Sequence, residues 1–236
     1  MDIQDWIVWS DESVLAVHKP AGVLAIQDGY NPAIPYLSGM LNDAFGKVWT
    51  VHRLDKDTSG IILFARSAEA HRLLNEQFMQ RETFKEYHAI VIGSPEREKM
   101  TISLPLFVNG DRRHRTVIDH QRGKPAETSI SLIRSSEGFS LISAFPRTGY
   151  THQIRAHLAA AGLPLVADPL YKSLKPLTPL QEAACKQSLS LPIHRVALHA
   201  FRISFQHPLS GQMLTLEAPY PEDFSRAAAY LFQKAA

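Results

Sequence analysis

The chain has 236 residues, of which 45% are hydrophobic and 20% charged, with a formal net charge of +2. This length is sufficient for a complete hydrophobic core in one or two domains, and the composition is that of an ordinary globular protein. The single cysteine excludes an internal disulfide, and no signal peptide or membrane-spanning apolar run is visible. We therefore expect a cytoplasmic protein that is not embedded in a membrane, and the small net charge alone does not indicate nucleic-acid binding.

The first half of the chain is predicted to alternate strands and helices. In chain order, the apolar patterns predict a strand over residues 14–18, a helix over 33–45, a strand over 61–66, a helix from the cap Ser67 to about residue 81, and a strand over 85–93. A charged turn follows, and residues 94–100 are a candidate junction between two halves of one domain.

The second half is predicted to be richer in strands. Its patterns predict paired strands over residues 128–134 and 139–145, a helix from the cap Thr151 through Ala161, a loop with one or two helical turns over 173–191, strands over 196–205 and 213–217, and a helix from Pro221 to about residue 233. Strands and helices mix without strict βαβ alternation. We therefore expect an α+β fold, with a mixed, largely antiparallel sheet and helices packed on it.

The most informative segment is the polar run Val51-His52-Arg53-Leu54-Asp55-Lys56-Asp57-Thr58-Ser59-Gly60, which precedes the apolar residues 61–65. The apolar residues predict a buried strand, and residues 57–60 predict the turn that leads into it. His52, Arg53 and Asp55 are thereby placed at the entrance of a core strand, where a rigid scaffold can present side chains for chemistry. The local sequence is equally consistent with Asp55 as a turn-capping residue.

A second notable segment is basic. It contains the cations Arg112, Arg113, Arg115, Arg122 and Lys124. Two interpretations apply: a solvated loop, which is the usual fate of a charge cluster, and a finger that contacts phosphates. Charge alone favours the loop.

The eleven histidines do not have the spacing of a metal site. His152 and His157 are five residues apart and so point to different faces of a helix, and a single cysteine cannot build a zinc site. We therefore predict that the protein uses no metal and no organic cofactor.

Six motifs are spread along the chain. In chain order they are His18-Lys19-Pro20-Ala21-Gly22, the His52-Arg53-Leu54-Asp55 segment, Lys85-Glu86-Tyr87, Gly123-Lys124-Pro125-Ala126-Glu127-Thr128, Thr148-Gly149-Tyr150-Thr151-His152-Gln153-Ile154-Arg155, and Pro164-Leu165-Val166-Ala167-Asp168. They resemble the motifs of one family, the RluA family of RNA pseudouridine synthases. Because they occur in the family's order across nearly the whole chain, the match is far more specific than one short motif would be.

The resemblance implies an enzyme that isomerises a uridine of tRNA or rRNA to pseudouridine. It implies that Asp55 is the catalytic carboxylate, acting as nucleophile or base, that Arg155 pairs with it, and that Tyr87 stacks on the target base. By the same resemblance Arg53 helps to hold the extruded nucleotide out of its stack. The remaining predicted substrate-binding residues are His52, Thr151, Gln153, Arg112, Arg113 and Arg115.

The resemblance also implies the pseudouridine synthase catalytic-domain fold, with an active-site cleft across the sheet. We expect residues 1–236 to form this single domain, without a separate N-terminal RNA-binding domain, and to act as a monomer. Tyr150 departs from the family pattern, which usually has arginine there, so that a phenol replaces a group that could hold a phosphate.

Two other classes of function compete with this interpretation. A catalytically silent RNA-binding or RNA-folding protein could use the same scaffold, although it would not need Asp55, Tyr87 and Arg155 together. A carboxylate-dependent hydrolase or nuclease would need a second paired acid or a set of metal ligands, and the sequence offers neither.

Overall fold

A computed structural model describes residues 2–233 of the chain, which fall into two compact units. The first unit contains residues 2–85 and His199–Tyr220, and the second contains residues 86–198 and 221–233. None of the helices in residues 2–233 has the length and apolar character that a membrane span requires.

Twelve strands are present in the described residues. They are β1 (Ile7–Ser10), β2 (Val14–Lys19), β3 (Trp49–Thr50), β4 (Ser59–Ala65), β5 (Phe84–Ile92), β6 (Lys99–Ser103), β7 (Leu106–Phe107), β8 (Val117–Ile118), β9 (Glu127–Ser136), β10 (Phe139–Pro146), β11 (Leu198–Gln206) and β12 (Met213–Glu217).

Five α-helices accompany them in the described residues. They are α1 (Leu37–Phe45), α2 (Ala68–Gln80), α3 (Gln153–Ala161), α4 (Pro179–Gln187) and α5 (Glu222–Phe232), with short 3₁₀ turns at Ile3–Trp6 and Ser188–Ser190. The predicted α+β class is confirmed, because strand pairing is mixed but mostly antiparallel and helices pack on the strands.

The sheet of the first unit is built around β4, a strand that is buried over its whole length. β2 pairs antiparallel along one edge of β4, from Val14–Ala65 to Lys19–Gly60. On the other edge, β3 pairs with the last two residues of β4, and β11 pairs in parallel with the first two. The apolar run after the polar segment thus forms the predicted core strand.

Gly60 is required for this parallel pairing. Its backbone φ angle is +118°, a value that residues other than glycine rarely adopt. A Cβ at Gly60 would also collide with the backbone of Ala200, its partner in β11. The strand therefore begins at Ser59, and the prediction that Ser59 and Gly60 lie in the turn is wrong.

The second unit contains the antiparallel sheet β5–β10–β9–β6 and the separate two-stranded ribbon β7–β8. Its core includes Ala89 and Val91 of β5, Ile142 of β10, and Ile154 and Leu158 of α3. The alternation of these residues along β5 and β10 places the helix α3 against one face of this sheet.

Local signals explain where the helices α2, α1 and α4 begin. Ser67 caps α2 as predicted, with its Oγ accepting the N–H of Ala70 at 3.1 Å. α1 begins only at Leu37, because the residue before Pro35 is disfavoured in a helix and Tyr36 is extended. In the predicted loop over residues 173–191, Thr178 and Gln181 form a capping box that starts α4.

Candidate active site

The segment that carries Asp55 is a loop closed by a tight turn. The carbonyl of Asp55 accepts the N–H of Thr58 at 3.1 Å, so the turn spans residues 55–58 and lies earlier than predicted. β4 begins at the next residue. Asp55 is half-buried and Arg53 and Lys56 are exposed. The loop therefore presents a carboxylate between two cations in a fixed backbone conformation.

Lys19 anchors this loop from the protein interior. Its side chain is fully buried, and its Nζ donates to the carbonyls of Pro20 and Val23 at 2.8 Å each and of Lys56 at 2.9 Å. The N–H of Gly22 donates to the same Lys56 carbonyl at 2.9 Å. A buried ammonium is stable only when its donors are satisfied, and here three carbonyls satisfy them. Lys19 thus positions the residue next to Asp55.

His52 fixes the other end of the loop. Its Nε2 accepts the N–H of Leu63 in β4 at 3.0 Å, at a point on the strand edge between the β3 and β11 pairings. Its ring stacks on Phe78 with 4.7 Å between centroids. Burial lowers the pKa of His52 to about 3, and the positive charge of Lys85 contributes in the same direction. His52 is therefore neutral, with its proton on Nδ1, and it stabilises the loop; its predicted contact with substrate stays a prediction.

Ser59 and His199 lock the first residue of β4 to β11. The Nε2 of His199 lies 3.0 Å from the carbonyl of Ala218 and so carries a proton, and its Nδ1 then accepts from the Ser59 hydroxyl at 2.9 Å. Both side chains are fully buried. The hydrogen bonds hold the end of the turn, which limits the movement of Asp55.

The predicted role of Arg53, which is to help hold the extruded nucleotide, stays a prediction. Its side chain is exposed to solvent. A cationic side chain two residues before Asp55 is thus available for a nucleotide phosphate.

Tyr87 lies in β5 of the second unit, opposite Ala144 of β10. It is half-buried and packs on the core cluster that includes Ile154 and Leu158 of α3. The neighbouring Glu86 points to the opposite face, where its carboxylate accepts from the Ser143 hydroxyl at 2.8 Å. Tyr87 is therefore a ring held at the edge of a packed core.

Arg155 is buried and forms a planar fork with Asp168. Its Nε and Nη2 donate to the two carboxylate oxygens of Asp168, both at 2.8 Å. Only 6% of the Arg155 side chain and none of the Asp168 side chain is exposed. The guanidinium also lies over the ring of Tyr171, 5.0 Å from its centroid. These contacts fix the direction of the guanidinium, while the predicted pairing of Arg155 with Asp55 stays a prediction.

Asp168 is a residue that the sequence did not assign. It also accepts the N–H groups of Leu170 and Tyr171, at 2.8 and 3.1 Å. In the sequence Asp168 appears only as the end of a motif. Its charge and its position thirteen residues after Arg155 could have predicted an ion pair between the two. It orients Arg155, and so we count it among the site residues.

Gln153 organises the start of α3 rather than facing solvent. It is 3% exposed; its side-chain oxygen accepts from the hydroxyl of Thr148 and the N–H of Tyr150, and its amide donates to Glu127 and Thr128. These bonds account for the whole side-chain amide. Gln153 therefore supports the motif, and its predicted contact with substrate stays a prediction.

A second buried chain of hydrogen bonds continues from Thr128. The Thr128 hydroxyl accepts from Gln153 and lies 2.9 Å from Nδ1 of His157, whose Nε2 donates to the carbonyl of Leu104 at 3.0 Å. Burial lowers the pKa of His157, and the hydrogen bond to Leu104 partly opposes this. His157 is thus a neutral structural histidine.

Thr151 does not cap α3, contrary to the prediction. The cap is His152, in the left-handed conformation, and the N–H of Gln153 is already bonded to the carbonyl of Tyr150 at 3.0 Å. This backbone turn takes the place of a side-chain cap. The carbonyl of Thr151 instead accepts the hydroxyl of Thr116 at 2.6 Å, which ties α3 to the base of the ribbon β7–β8.

The basic segment forms a hairpin, with residues 108–116 connecting β7 and β8. Arg112 and Arg113 are exposed. Arg115 is half-buried, and it donates to Asp111 at 2.6 Å and to the carbonyl of Leu170 at 2.9 Å. Arg115 is therefore part of the hairpin structure, while Arg112 and Arg113 are available for an external anion.

The structure thus groups the predicted residues within each unit. In the first unit His52, Arg53 and Asp55 share one loop. In the second, Arg115 and Arg155 both bind the turn over residues 168–171, and Thr151 is bound to Thr116 beside them. Within residues 2–233 no group of three or more His, Cys, Asp or Glu side chains is placed to hold a metal ion.

Two solved structures share this fold. Human RNA pseudouridylate synthase domain containing 4 aligns with a TM-score of 0.76 at 21% identity, covering 96% of this chain and 92% of that chain. Human RNA pseudouridylate synthase domain containing 1 aligns with a TM-score of 0.72 at 25% identity, covering 91% and 83%. The fold is therefore that of pseudouridine synthase domains.

The sequence narrows the class to a family. Residues 13–160, which include Asp55, Tyr87 and Arg155, match the family described as RNA pseudouridylate synthase. The dual-specificity RNA pseudouridine synthase RluA of Pasteurella multocida is 33% identical over 214 residues, covering 90% of this chain and 92% of the relative. The chain belongs to the RNA pseudouridylate synthase family and is of the RluA type.

Longer relatives match as well. The ribosomal large subunit pseudouridine synthase D of Nitrosomonas europaea is 34% identical over 224 residues, which is 93% of this chain. The chain spans 63% of the length of that protein.

Proposed function

We propose that the protein isomerises a specific uridine of RNA to pseudouridine, with Asp55 as the catalytic carboxylate. The observation that carries the proposal is the anchored loop, in which buried Lys19 and His52 hold a half-buried Asp55 between exposed Arg53 and Lys56. Family membership supplies the reaction, and the loop supplies a rigidly held acid beside cations that suit an RNA backbone.

The reaction is balanced within the substrate. The N1–C1′ bond of uridine breaks, the uracil rotates, a C5–C1′ bond forms, and the proton lost from C5 is matched by one gained at N1. No electron acceptor or group donor is needed. Asp55 could attack the sugar, attack the base, or abstract the proton, and a fixed carboxylate suits each of these steps.

The second proposed contribution to the reaction is a cation, Arg155, that is held in place before substrate binds. Arg155 is held by Asp168 and Tyr171, so its direction is set before substrate binds. We propose that its positive charge pairs with the carboxylate of Asp55. Tyr87 is proposed to stack on the extruded uracil, which is held out of its helix by Arg53.

The proposed substrate is tRNA or rRNA. The names of two relatives refer to the ribosomal large subunit or to dual specificity, which supports rRNA as one target. Comparing pseudouridine maps of total RNA from cells with and without this gene would identify the uridine, and the absence of any changed position would contradict the proposal.

The role of Asp55 is tested by Asp55→Asn, which keeps the size of the side chain and removes its charge. We expect normal RNA binding and no pseudouridine, because an amide is neither a nucleophile nor a base at neutral pH. Asp57→Asn is the matched control, since it removes the same charge two residues away. A turnover of even about a tenth of wild type in Asp55→Asn would refute the assignment. If neither wild type nor variant forms product while both bind RNA, the silent RNA-binding alternative is supported.

A further inference from the structure

Tyr30 is the most exposed large hydrophobic side chain among residues 2–233. Its exposed fraction is 97%, compared with 82% for Leu189 and 75% for Met79. Burial of an aromatic ring stabilises a complex, so a ring held in solvent on an ordered loop offers apolar area to a partner.

The segment that carries Tyr30 is a closed loop. At its neck Leu24 pairs with Tyr36, the carbonyl of Leu24 accepts the N–H of Leu37 at 2.8 Å, and the carbonyl of Ala25 accepts that of Ser38 at 3.2 Å. Residues 26–35 therefore leave and re-enter the first unit at one place, as in a compact Ω-loop.

Hydrogen bonds fix the tip of the loop. One carboxylate oxygen of Asp28 accepts the N–H groups of both Tyr30 and Asn31 at 2.8 Å each. The side-chain oxygen of Asn31 accepts the N–H of Ala33 at 3.2 Å. Pro32 and Pro35 further restrict the backbone. The ring of Tyr30 is thus presented on an ordered turn, which reduces the entropy lost when it binds a partner.

The loop is attached directly to the segment of Asp55. Its N-terminal stem is the turn over residues 20–23, in which Gly22 donates to the carbonyl of Lys56. The hydrogen bonds from Asn31 and Tyr30 lower the pKa of Asp28, and the positive charge of Lys56 adds to this. Lys56, whose carbonyl binds the stem of the loop, has an exposed side chain.

We propose that Tyr30 stacks on an unpaired nucleobase of the RNA substrate, next to the nucleotide that enters the Asp55 loop, while Lys56 contacts the phosphate between them. This inference rests on the proposed function and adds a second base-contacting residue to it. Single-stranded RNA is bound by this combination of an exposed aromatic ring and a nearby cation.

The surroundings of Tyr30 favour a base over a protein partner. Its exposed neighbours are Gly29, Asn31, Pro32 and Ala33, which offer one amide and no large apolar side chain. A protein hot spot is ringed by further contacts that exclude water, whereas a stacked base needs only one flat face. Stacking is also tolerant of sequence, so Tyr30 would strengthen binding without selecting one base.

The test uses the full-length protein and a fluorescein-labelled, single-stranded 20-nucleotide RNA of mixed sequence, with the fully paired duplex of the same sequence as a second probe. Tyr30→Ala should weaken binding of the single strand roughly 5- to 100-fold, the range for loss of one stacked base, and leave duplex binding unchanged. Tyr30→Phe should bind as wild type. Leu189→Ala, which removes another highly exposed apolar side chain, is the matched control and should have no effect on either probe.

Two further measurements separate stacking from a structural role. Tyr30→Trp should show quenching of its added fluorescence by the single strand, beyond any change of the three native tryptophans. Asp28→Asn keeps the turn-forming oxygen and Asp28→Ala removes it, while both remove the charge; only Asp28→Ala should weaken binding.

The inference is overturned if Tyr30→Ala binds the single strand as wild type, if single strand and duplex are weakened equally, or if Tyr30→Trp is not quenched. Because these are binding measurements, they stay informative even if Asp55→Asn proves active. Conversely, loss of product in Asp55→Asn with unchanged binding in Tyr30→Ala would keep the proposed function and remove this inference alone.

Discussion

Arg155 and Asp168 form a buried, two-point ion pair, with Nε–Oδ2 and Nη2–Oδ1 distances of 2.8 Å each. A planar guanidinium matches a carboxylate in this way, and a lysine ammonium cannot. The pair fixes the cation that we propose to act on Asp55, so its geometry should matter for both activity and stability.

We predict that Arg155→Lys and Asp168→Asn both lower the rate of pseudouridine formation by at least about tenfold. In either variant the side chain at position 155 is no longer held in one orientation. Asp168→Asn also leaves the buried Arg155 charge without the Asp168 carboxylate, which lowers the free energy of unfolding by about 3–5 kcal/mol; Arg155→Lys keeps a cation and should lower it less. Urea unfolding and single-turnover rates would be measured side by side.

The second unit contains a control for this prediction. Arg195 and Asp223 form a similar fork, at 2.7 and 2.9 Å, that involves neither α3 nor the turn over residues 168–171. Arg195→Lys should lower stability and leave the rate for bound substrate unchanged. Equal losses of rate in Arg195→Lys and Arg155→Lys would show that the effect is one of stability only.

The basic hairpin should bind RNA backbone through its exposed arginines. Simultaneous Arg112→Ala and Arg113→Ala should weaken binding to target and non-target RNA alike and reduce the slope of log affinity against log salt by about 0.7–0.9 for each phosphate that the variant no longer binds. Arg226→Ala, which removes an exposed arginine from α5, is the control. An unchanged salt slope in the double variant would support the solvated-loop interpretation.

Arg115 should behave differently from its two neighbours. Its side chain is engaged with Asp111 and Leu170, so Arg115→Ala should disturb the hairpin and lower thermal stability, whereas Arg112→Ala and Arg113→Ala should not. The sequence grouped all three arginines, because it could not reveal which of them has an internal partner.

The elements that the sequence predicted well are those with local signals. Ser67 caps the start of α2 and Gly162 the end of α3, each through hydrogen bonds within a few residues, and β4 contains a continuous apolar run. The two-residue strands β7 and β8 were missed because they are too short to show a pattern and are defined by their pairing. Local chemistry therefore predicted the elements and the motifs, but not the tertiary contacts between them.

The same distinction applies to the site. The motif over residues 51–60 identified the Asp55 loop, but not its support, since Lys19 lies 37 positions before the carbonyl of Lys56 that it binds. Thr151 was predicted as a helix cap from its residue type alone, whereas the carbonyl of Tyr150 takes that role. The contact of Lys19 becomes visible only when distant segments are brought together, whereas the Tyr150 carbonyl is a local backbone acceptor that residue types do not reveal.

Activity should not require a metal ion. Isomerisation needs no Lewis acid for electron balance, and the chemistry proposed for Asp55 and Arg155 uses only side chains. Protein dialysed against chelator should retain its full rate on a short, unstructured RNA that contains the target uridine. A strict requirement for a divalent ion on that RNA, where folding of the substrate is not a factor, would contradict the prediction.

The neutral His52 should make stability depend on pH. Its pKa is about 3 in the folded protein and near 6.5 when unfolded, so between these values the unfolded chain binds the extra proton. The contribution of His52 is therefore complete above about pH 6.5 and is lost as pH falls towards 3, with a slope of up to about 1.4 kcal/mol per pH unit.

His52→Gln would check this, because glutamine can still accept the N–H of Leu63 but does not titrate. The free energy of unfolding of this variant should vary less between pH 4.5 and 6 than that of wild type. His157 has a lowered pKa as well and leaves some slope in both proteins. Identical slopes would mean that His52 is not held neutral in the folded loop.

The ring of Tyr150 packs where the hairpin meets α3. It contacts the cluster of Leu106, Ala156 and Tyr171, while its N–H donates to Gln153. Tyr150→Phe should therefore leave stability and RNA binding unchanged, because only the ring is used. Tyr150→Arg should lose this packing and gain a cation, which lowers the melting temperature and steepens the salt dependence of RNA binding by about 0.7–0.9 if the new side chain reaches a phosphate. A melting temperature equal to that of wild type in Tyr150→Arg would show that the ring does not support the hairpin, and an unchanged salt slope would show that no phosphate lies within reach of position 150.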